Sequence, residues 1–222
     1  MPLPEEHYNF SKVSVKTRIY ETIKRWIIET RLKPGEQIFD VEIAEHFQVS
    51  RTPVREALQL LEMQKLVKTI PGKATIVTEI DYDNLEQLYQ PMAVLQQLAV
   101  RLAIEKASPK DIENLKRLNQ IFTDGIRGEK DVLAISEADV NFHTAILDTA
   151  GNSYIKDFCN TLWIHIQRLE YCFFREGSTL EDSIYDHEQL IQAFEMKDDF
   201  TASVRMKAHW DRTVMQIRSI QG

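Results

Sequence analysis

Cysteine is nearly missing from this chain. Cys159 and Cys172 are its two examples in 222 residues, which excludes a disulfide framework. Both read as small buried apolar residues. No stretch approaches the ~20 apolar residues that a membrane span requires. Met1 to Phe10 holds two prolines and two glutamates without an apolar core, so it does not read as a secretion signal. The expected compartment is therefore the cytoplasm, with no membrane partner. Glycine and proline are scarce, at seven each, and thin out further after residue 84. Internal repeats and low-complexity tracts are lacking. Positive charge is also in deficit, with a net charge of −7. Taken over the whole chain, that deficit argues against a nucleic-acid partner.

The distribution of charge reverses that argument. Residues 11–78 hold twelve Lys/Arg against eight Asp/Glu, a balance of +4. Residues 79–222 hold fifteen against twenty-four, a balance of −9. A basic head on an acidic body suits a protein whose head meets phosphate.

The head has its own pattern. Val15, Ile19, Ile23 and Ile27 recur every four residues, the mark of an amphipathic helix. Leu32-Lys33-Pro34-Gly35 is a turn. Asp40 is placed to cap a second helix, Val41 to Phe47. Ser50 is placed to cap a third, with Pro53 in its first turn, where a missing N–H costs little. Arg51 and Arg55 share one face of that helix, and Val54, Leu58 and Leu61 share the other. A helix basic at its start and apolar behind is shaped for a DNA major groove. After Leu66 the period becomes two, and Pro71-Gly72-Lys73 sits between two short β-like runs. The expectation is a winged helix-turn-helix over residues 11–78.

From Tyr20 to Val77 the chain resembles the DNA-binding domain of the GntR superfamily of bacterial transcription regulators. The resemblance rests on Leu32-Lys33-Pro34-Gly35-Glu36, Val49 to Leu58, Leu61-Glu62, Leu66-Val67 and Gly72-Lys73. It implies that Arg51, Thr52 and Arg55 contact operator DNA and that the Gly72-Lys73 wing tip reaches the minor groove. Gln64-Lys65 departs from the family, which has an acidic residue and then glycine. Loss of that C-cap glycine predicts a local change of geometry.

The second half reads as helices only. Apolar residues recur at three and four, which gives roughly six helices and an antiparallel all-α bundle over residues 84–222. Pro91 should kink or divide the first of them, and Ser108-Pro109 opens the next. Glu79 to Asp83 forms a short link. The fold class is thus mainly α, a winged helix-turn-helix followed by a helical bundle.

Asp139 and His143 lie four apart on one helical face, and His187 and His209 lie on two later helices. One carboxylate and three imidazoles can form a site for a divalent transition metal, although scattered histidines on amphipathic helices are commonly surface groups. Phe142 and Trp210 would supply an apolar surround. Residues 84–217 resemble the FCD effector domain of the FadR-like branch of the GntR family. The matching pieces are Asp139-x-x-Phe142-His143, Gly151-Asn152, Asp186-His187 and Ala208-His209. The resemblance implies that Asp139, His143, His187 and His209 hold zinc, nickel or manganese, with positions left for an organic acid. The family's arginine clamp for a ligand carboxylate is replaced here, because the aligned stretch is Met92-Ala93-Val94-Leu95-Gln96. Arg168, Gln96 and Asn152 are the candidate ligand contacts in its place.

These readings converge on a homodimeric, metabolite-responsive regulator, with repression the expected sign. A two-fold operator needs two heads. Two other classes stay open on the residues. A metallohydrolase would use the same ion to activate water, but the chain has no histidine–glutamate motif of the zinc-protease type. An architectural DNA-binding protein would need no ligand.

Overall fold

Ser14 starts the first helix, its hydroxyl accepting the Thr17 backbone N–H at 3.2 Å. The computed structural model describes residues 14–70, 74–128, 131–174 and 180–221. The wing-tip residues Pro71, Gly72 and Lys73 lie outside the described residues. The chain divides into two compact units, Met1–Glu79 and Ile80–Gly222.

The first unit contains α1 (Val15–Ile28), β1 (Gln37–Ile38), α2 (Asp40–Phe47), α3 (Arg51–Met63), β2 (Val67–Ile70) and β3 (Ala74–Val77). Ile19, Ile23 and Ile27 of α1 are buried, as are Val54, Leu58 and Leu61 of α3 against which that helix packs. Strands β2 and β3 pair antiparallel with Val67 opposite Val77 and Thr69 opposite Thr75. Nothing in the residue pattern points to β1, which is two residues long and pairs with β3. Gly35 makes that third strand possible. Its φ of 76° turns the chain back, so that its N–H donates to Val77 O at 2.9 Å.

Three local expectations change. Asp40 is the first residue of α2 rather than its cap, and Phe39 holds the cap position without a side-chain bond. Ser50 does hold the cap position of α3, but its hydroxyl makes no capping bond. Lys65 takes the left-handed backbone, φ 58°, that glycine usually serves. That conformation costs a non-glycine residue ~1 kcal/mol. The Leu66 N–H bond to Leu61 O at 3.0 Å and the Thr78 hydroxyl bond to Lys65 O at 2.8 Å hold it there.

The second unit is built from α4 (Glu86–Lys106), α5 (Pro109–Arg127), α6 (Val132–Ala150), α7 (Ser153–Phe174), α8 (Glu181–Met196) and α9 (Asp199–Gln221). Helix α4 packs on α6, α7 and α9, and α5 packs on α6 and α8. Pro91 does not divide α4, which runs on through it. As the sixth residue of a 21-residue helix it removes one intrahelical bond, the one to the Gln87 carbonyl. Ser108 and Asp111 cap α5 reciprocally. The Ser108 N–H donates to Asp111 Oδ2 at 2.9 Å, and the Asp111 N–H donates to Ser108 Oγ at 3.4 Å. Tyr89, Met92, Phe142, Phe194 and Trp210 are fully buried in the core. Among the described residues no helix is long and apolar enough to cross a membrane.

Candidate functional site

In the first unit the residues expected to contact DNA lie on α3. Arg51, Thr52 and Arg55 are exposed there, and both guanidinium groups are held by one carboxylate. Arg51 Nη2 donates to Asp40 Oδ1 at 2.8 Å and to Oδ2 at 3.0 Å. Arg55 Nε donates to Asp40 Oδ2 at 2.6 Å. Burial alone would raise the Asp40 carboxyl, but the two arginines outweigh it and hold the group below the usual carboxylate range. Glu62 ties the wing to the same helix, accepting the Thr69 N–H at 2.6 Å and the Thr69 hydroxyl at 2.9 Å.

In the second unit three helices bring the distant histidines together. Asp139 and His143 come from one face of α6, His187 from α8 and His209 from α9. One ring nitrogen from each imidazole lies within 4.8 Å of the others. Asp139 Oδ1 is 3.3 Å from His187 Nε2, and its Oδ2 is 3.9 Å from His143 Nε2. His143 and His187 are fully buried, and His209 is 4% exposed.

The opposite side of each ring is fixed. His143 Nδ1 donates to Gln96 Oε1 at 2.7 Å, and the Gln96 amide is oriented by Nε2 donating to Met92 Sδ at 3.4 Å. His187 Nδ1 donates to Asn119 Oδ1 at 3.1 Å. His209 Nδ1 lies 3.4 Å from Asp186 Oδ2, which also accepts from Arg212 Nη1 at 2.6 Å. Such outer partners set the tautomer and aim the other nitrogen of each ring. Aromatic rings close the surround. Phe142 stacks on His187 with centroids 3.9 Å apart, and Trp163 and Trp210 flank His143 at 5.6 and 5.2 Å.

This arrangement collects acceptors without a donor. With Nδ1 donating, His143 Nε2 and His187 Nε2 each carry a lone pair. Both atoms are buried and have no hydrogen-bond partner. Facing them is Asp139, a second acceptor. Leaving buried polar atoms unmatched costs ~1–3 kcal/mol each. A divalent transition ion would satisfy all of them, so the residues fit such a group. The electrostatics agree. Burial would raise Asp139, but His143, His187 and His209 bring it down to about 2. Burial pushes His143 and His187 below their ordinary value, and Asp139 opposes the shift in each. Neutral imidazoles beside an ionised carboxylate are the protonation states that a metal ligand set requires.

The other expected contacts are placed differently. Gln96 is buried behind His143, whose Nδ1 it receives. The Asn152 side-chain oxygen accepts the Ile155 N–H at 3.2 Å, so it serves the first turn of α7. Arg168 is buried on α7. None of these three lines the small cavity beside the cluster, whose wall includes Ser136, Asp139, Glu170 and His209.

Asn119 and Glu170 were missed by the sequence reading, although each had a signal. Asn119 interrupts the apolar stripe Leu115–Leu118–Phe122, and Glu170 stands where the stripe Trp163–Ile166 continues. Glu170 is 5% exposed. Burial pushes its carboxyl well above the usual range, and Asp139 adds to the shift while Tyr89 opposes it.

The comparisons with known proteins agree with this layout. Residues 15–77 match the gntR family of bacterial regulatory proteins, and residues 87–212 match the FCD domain. The HTH-type transcriptional regulator LutR of Bacillus subtilis is 32% identical over 206 residues, covering 80% of this chain and 90% of LutR. The HTH-type transcriptional regulator McbR of Escherichia coli is 26% identical over 188 residues, covering 84% of this chain and 85% of McbR. A solved structure of E. coli McbR superposes with a TM-score of 0.82 at 22% identity, covering 95% of this chain and all of that one. A GntR regulator from Rhodococcus sp. RHA1 gives 0.77 at 19% identity, covering 93% and 99%.

Proposed function

Because this chain belongs to the GntR family of bacterial regulatory proteins and carries an FCD domain, we propose that it is a homodimeric, effector-responsive repressor. Its effector site is built on a divalent transition ion held by Asp139, His143, His187 and His209. The chain is a transcriptional regulator of that family, and its relatives are regulators rather than enzymes. The hydrolase alternative therefore falls.

One observation carries the metal reading. The bare nitrogens of His143 and His187 face the Asp139 carboxylate, with their far sides held by Gln96 and Asn119. When bound, the ion supplies a Lewis-acid surface on which an anionic group can dock. Around it Gln96, Asn119 and Asp186 orient the imidazoles, while Phe142, Trp163 and Trp210 exclude water. Zinc, nickel and manganese are each compatible with this nitrogen and oxygen donor set. Arg51, Thr52 and Arg55 read the operator, and Gly72 and Lys73 belong to the wing. Two heads on one two-fold operator require a dimer. The proposed setting is the cytoplasm, where operator DNA and metabolites meet.

The test is elemental analysis of dialysed wild type and His187→Ala. Wild type should hold close to one transition ion per chain. The variant should lose it, because a shell of few protein donors tolerates no missing ligand. Full stoichiometry in dialysed His187→Ala would show that His187 is no ligand and would remove the basis of the reading.

A further inference from the structure

Three polar side chains follow Arg55 along α3, and two of them are spent within the protein. Glu56 faces Lys16 of α1, Oε2 to Nζ at 3.9 Å. Glu62 accepts both the N–H and the hydroxyl of Thr69 on β2. Gln59, between them, is exposed and lines the cleft between α3 and the β2–β3 hairpin, as do Arg51 and Arg55. Among the described residues its carboxamide has no hydrogen-bond partner. The two carboxylates of the same cleft, Asp40 and Glu62, are engaged by other groups.

Spacing places Gln59 on the arginine stripe. Arg51, Arg55 and Gln59 recur every four residues, which advances each by about 6 Å along the helix and turns it by only about 40°. A carboxamide offers an acceptor and a donor side by side. Adenine presents the matching pair in the major groove, its N6 amino group donating to the amide oxygen and its N7 accepting from the amide nitrogen. Guanine presents two acceptors there and suits the arginines instead. A phosphate only accepts, so it would leave the amide oxygen unused. Building on the operator reading of Arg51 and Arg55 above, we propose that Gln59 is a further base-reading residue of α3 and selects an adenine in each half-site. An advance of about 6 Å covers up to two base pairs at about 3.4 Å each. The adenine therefore lies one or two base pairs beyond the pair contacted by Arg55.

Selection of duplexes from a random library by the full-length protein, followed by sequencing, tests this without a known operator. Wild type should enrich an inverted repeat with a fixed adenine in each half. Gln59→Ala should relax that adenine, keep the rest of the repeat and melt no lower than wild type. Arg55→Ala should relax a different position, one or two base pairs away. Gln59→Glu, which can only accept, should exchange the adenine for cytosine, whose N4 amino group donates. A merely structural role for Gln59 would not produce that exchange. In anisotropy titrations wild type should bind the enriched duplex at least about tenfold more tightly than one with that pair changed to G·C, and Gln59→Ala should bind both alike. An adenine kept by Gln59→Ala or Gln59→Glu, or an enriched repeat with no adenine at that distance, overturns the inference and leaves the arginines as readers. A wild-type protein that enriches no sequence overturns the operator reading as well, so the two failures are told apart.

Discussion

Glu170 and the two fully buried histidines link stability to pH with opposite signs. His143 and His187 are held below their ordinary value of 6.5, mainly by burial. Under acid the unfolded chain takes up protons that the native state refuses, so stability is lost as pH falls through about 6.5. Glu170 is held above its ordinary value of 4.5. Its contribution is fully present below that value and is lost as pH rises toward its native one. On the acid side two histidines outweigh one glutamate. Metal-stripped protein should therefore lose melting temperature as pH falls below about 6.5, with an alkaline decline of opposite sign set by Glu170 as pH rises above 4.5 toward that group's raised native value. In Glu170→Gln the alkaline decline should vanish while the acid decline remains. Thermal melts of chelator-treated protein across that range check it. An alkaline limb that persists in the variant would show that Glu170 does not govern it.

At the scale of elements, the basic side chains of α3 are held from outside that helix. Asp40, at the start of α2, gathers Arg51 and Arg55 of α3 into one cluster and cancels part of their charge. Asp40→Asn should leave the fold intact, since α2 gains no side-chain cap from this residue. It should tighten binding to random duplex and steepen the salt slope by about one unit, because one charge is uncovered. It should also cut the operator-to-random preference by about 1 kcal/mol, because the guanidinium groups lose their fixed aim. Anisotropy titrations on both duplexes over a salt series measure both effects. An unchanged preference would mean that DNA alone orders the arginines. Glu62 plays a comparable part for the wing, joining α3 to β2 through both the N–H and the hydroxyl of Thr69.

For the whole molecule, regulation reduces to coupling between two sites on two units. If the bundle binds an effector, its effect on operator affinity must equal the operator's effect on its own affinity. A metabolite that binds the bundle, titrated with and without operator duplex, should give the same factor as operator titrated with and without that metabolite, on the order of 5- to 150-fold. On the proposed repressor reading, each ligand should weaken the other. Calorimetry on the zinc-loaded protein measures both legs. A factor of one in either leg would leave the bundle without a regulatory role.

The sequence by itself determined the two-part plan. Helical periodicity, the run from Val49 to Leu58 and the charge contrast between the halves are local properties, and they placed a winged helix-turn-helix before six helices. The spacing of Asp139 and His143 on one helical face was legible for the same reason. Only the tertiary structure decided which groups face one another. Gln96 turned from a ligand candidate into the support of His143, and Asn152 into a residue serving the start of its own helix, because packing fixes side-chain direction in ways that spacing does not encode. Asn119 behind His187 is 68 positions away in the chain, and Glu170 reaches the cavity from a helix that supplies none of the four proposed ligands. Asp40 had the composition of a helix cap and became a clamp for two arginines, since its partners come from a neighbouring helix. Contacts within one helix follow its period. Contacts between helices depend on how the core closes, and there a buried charge is assigned its partner.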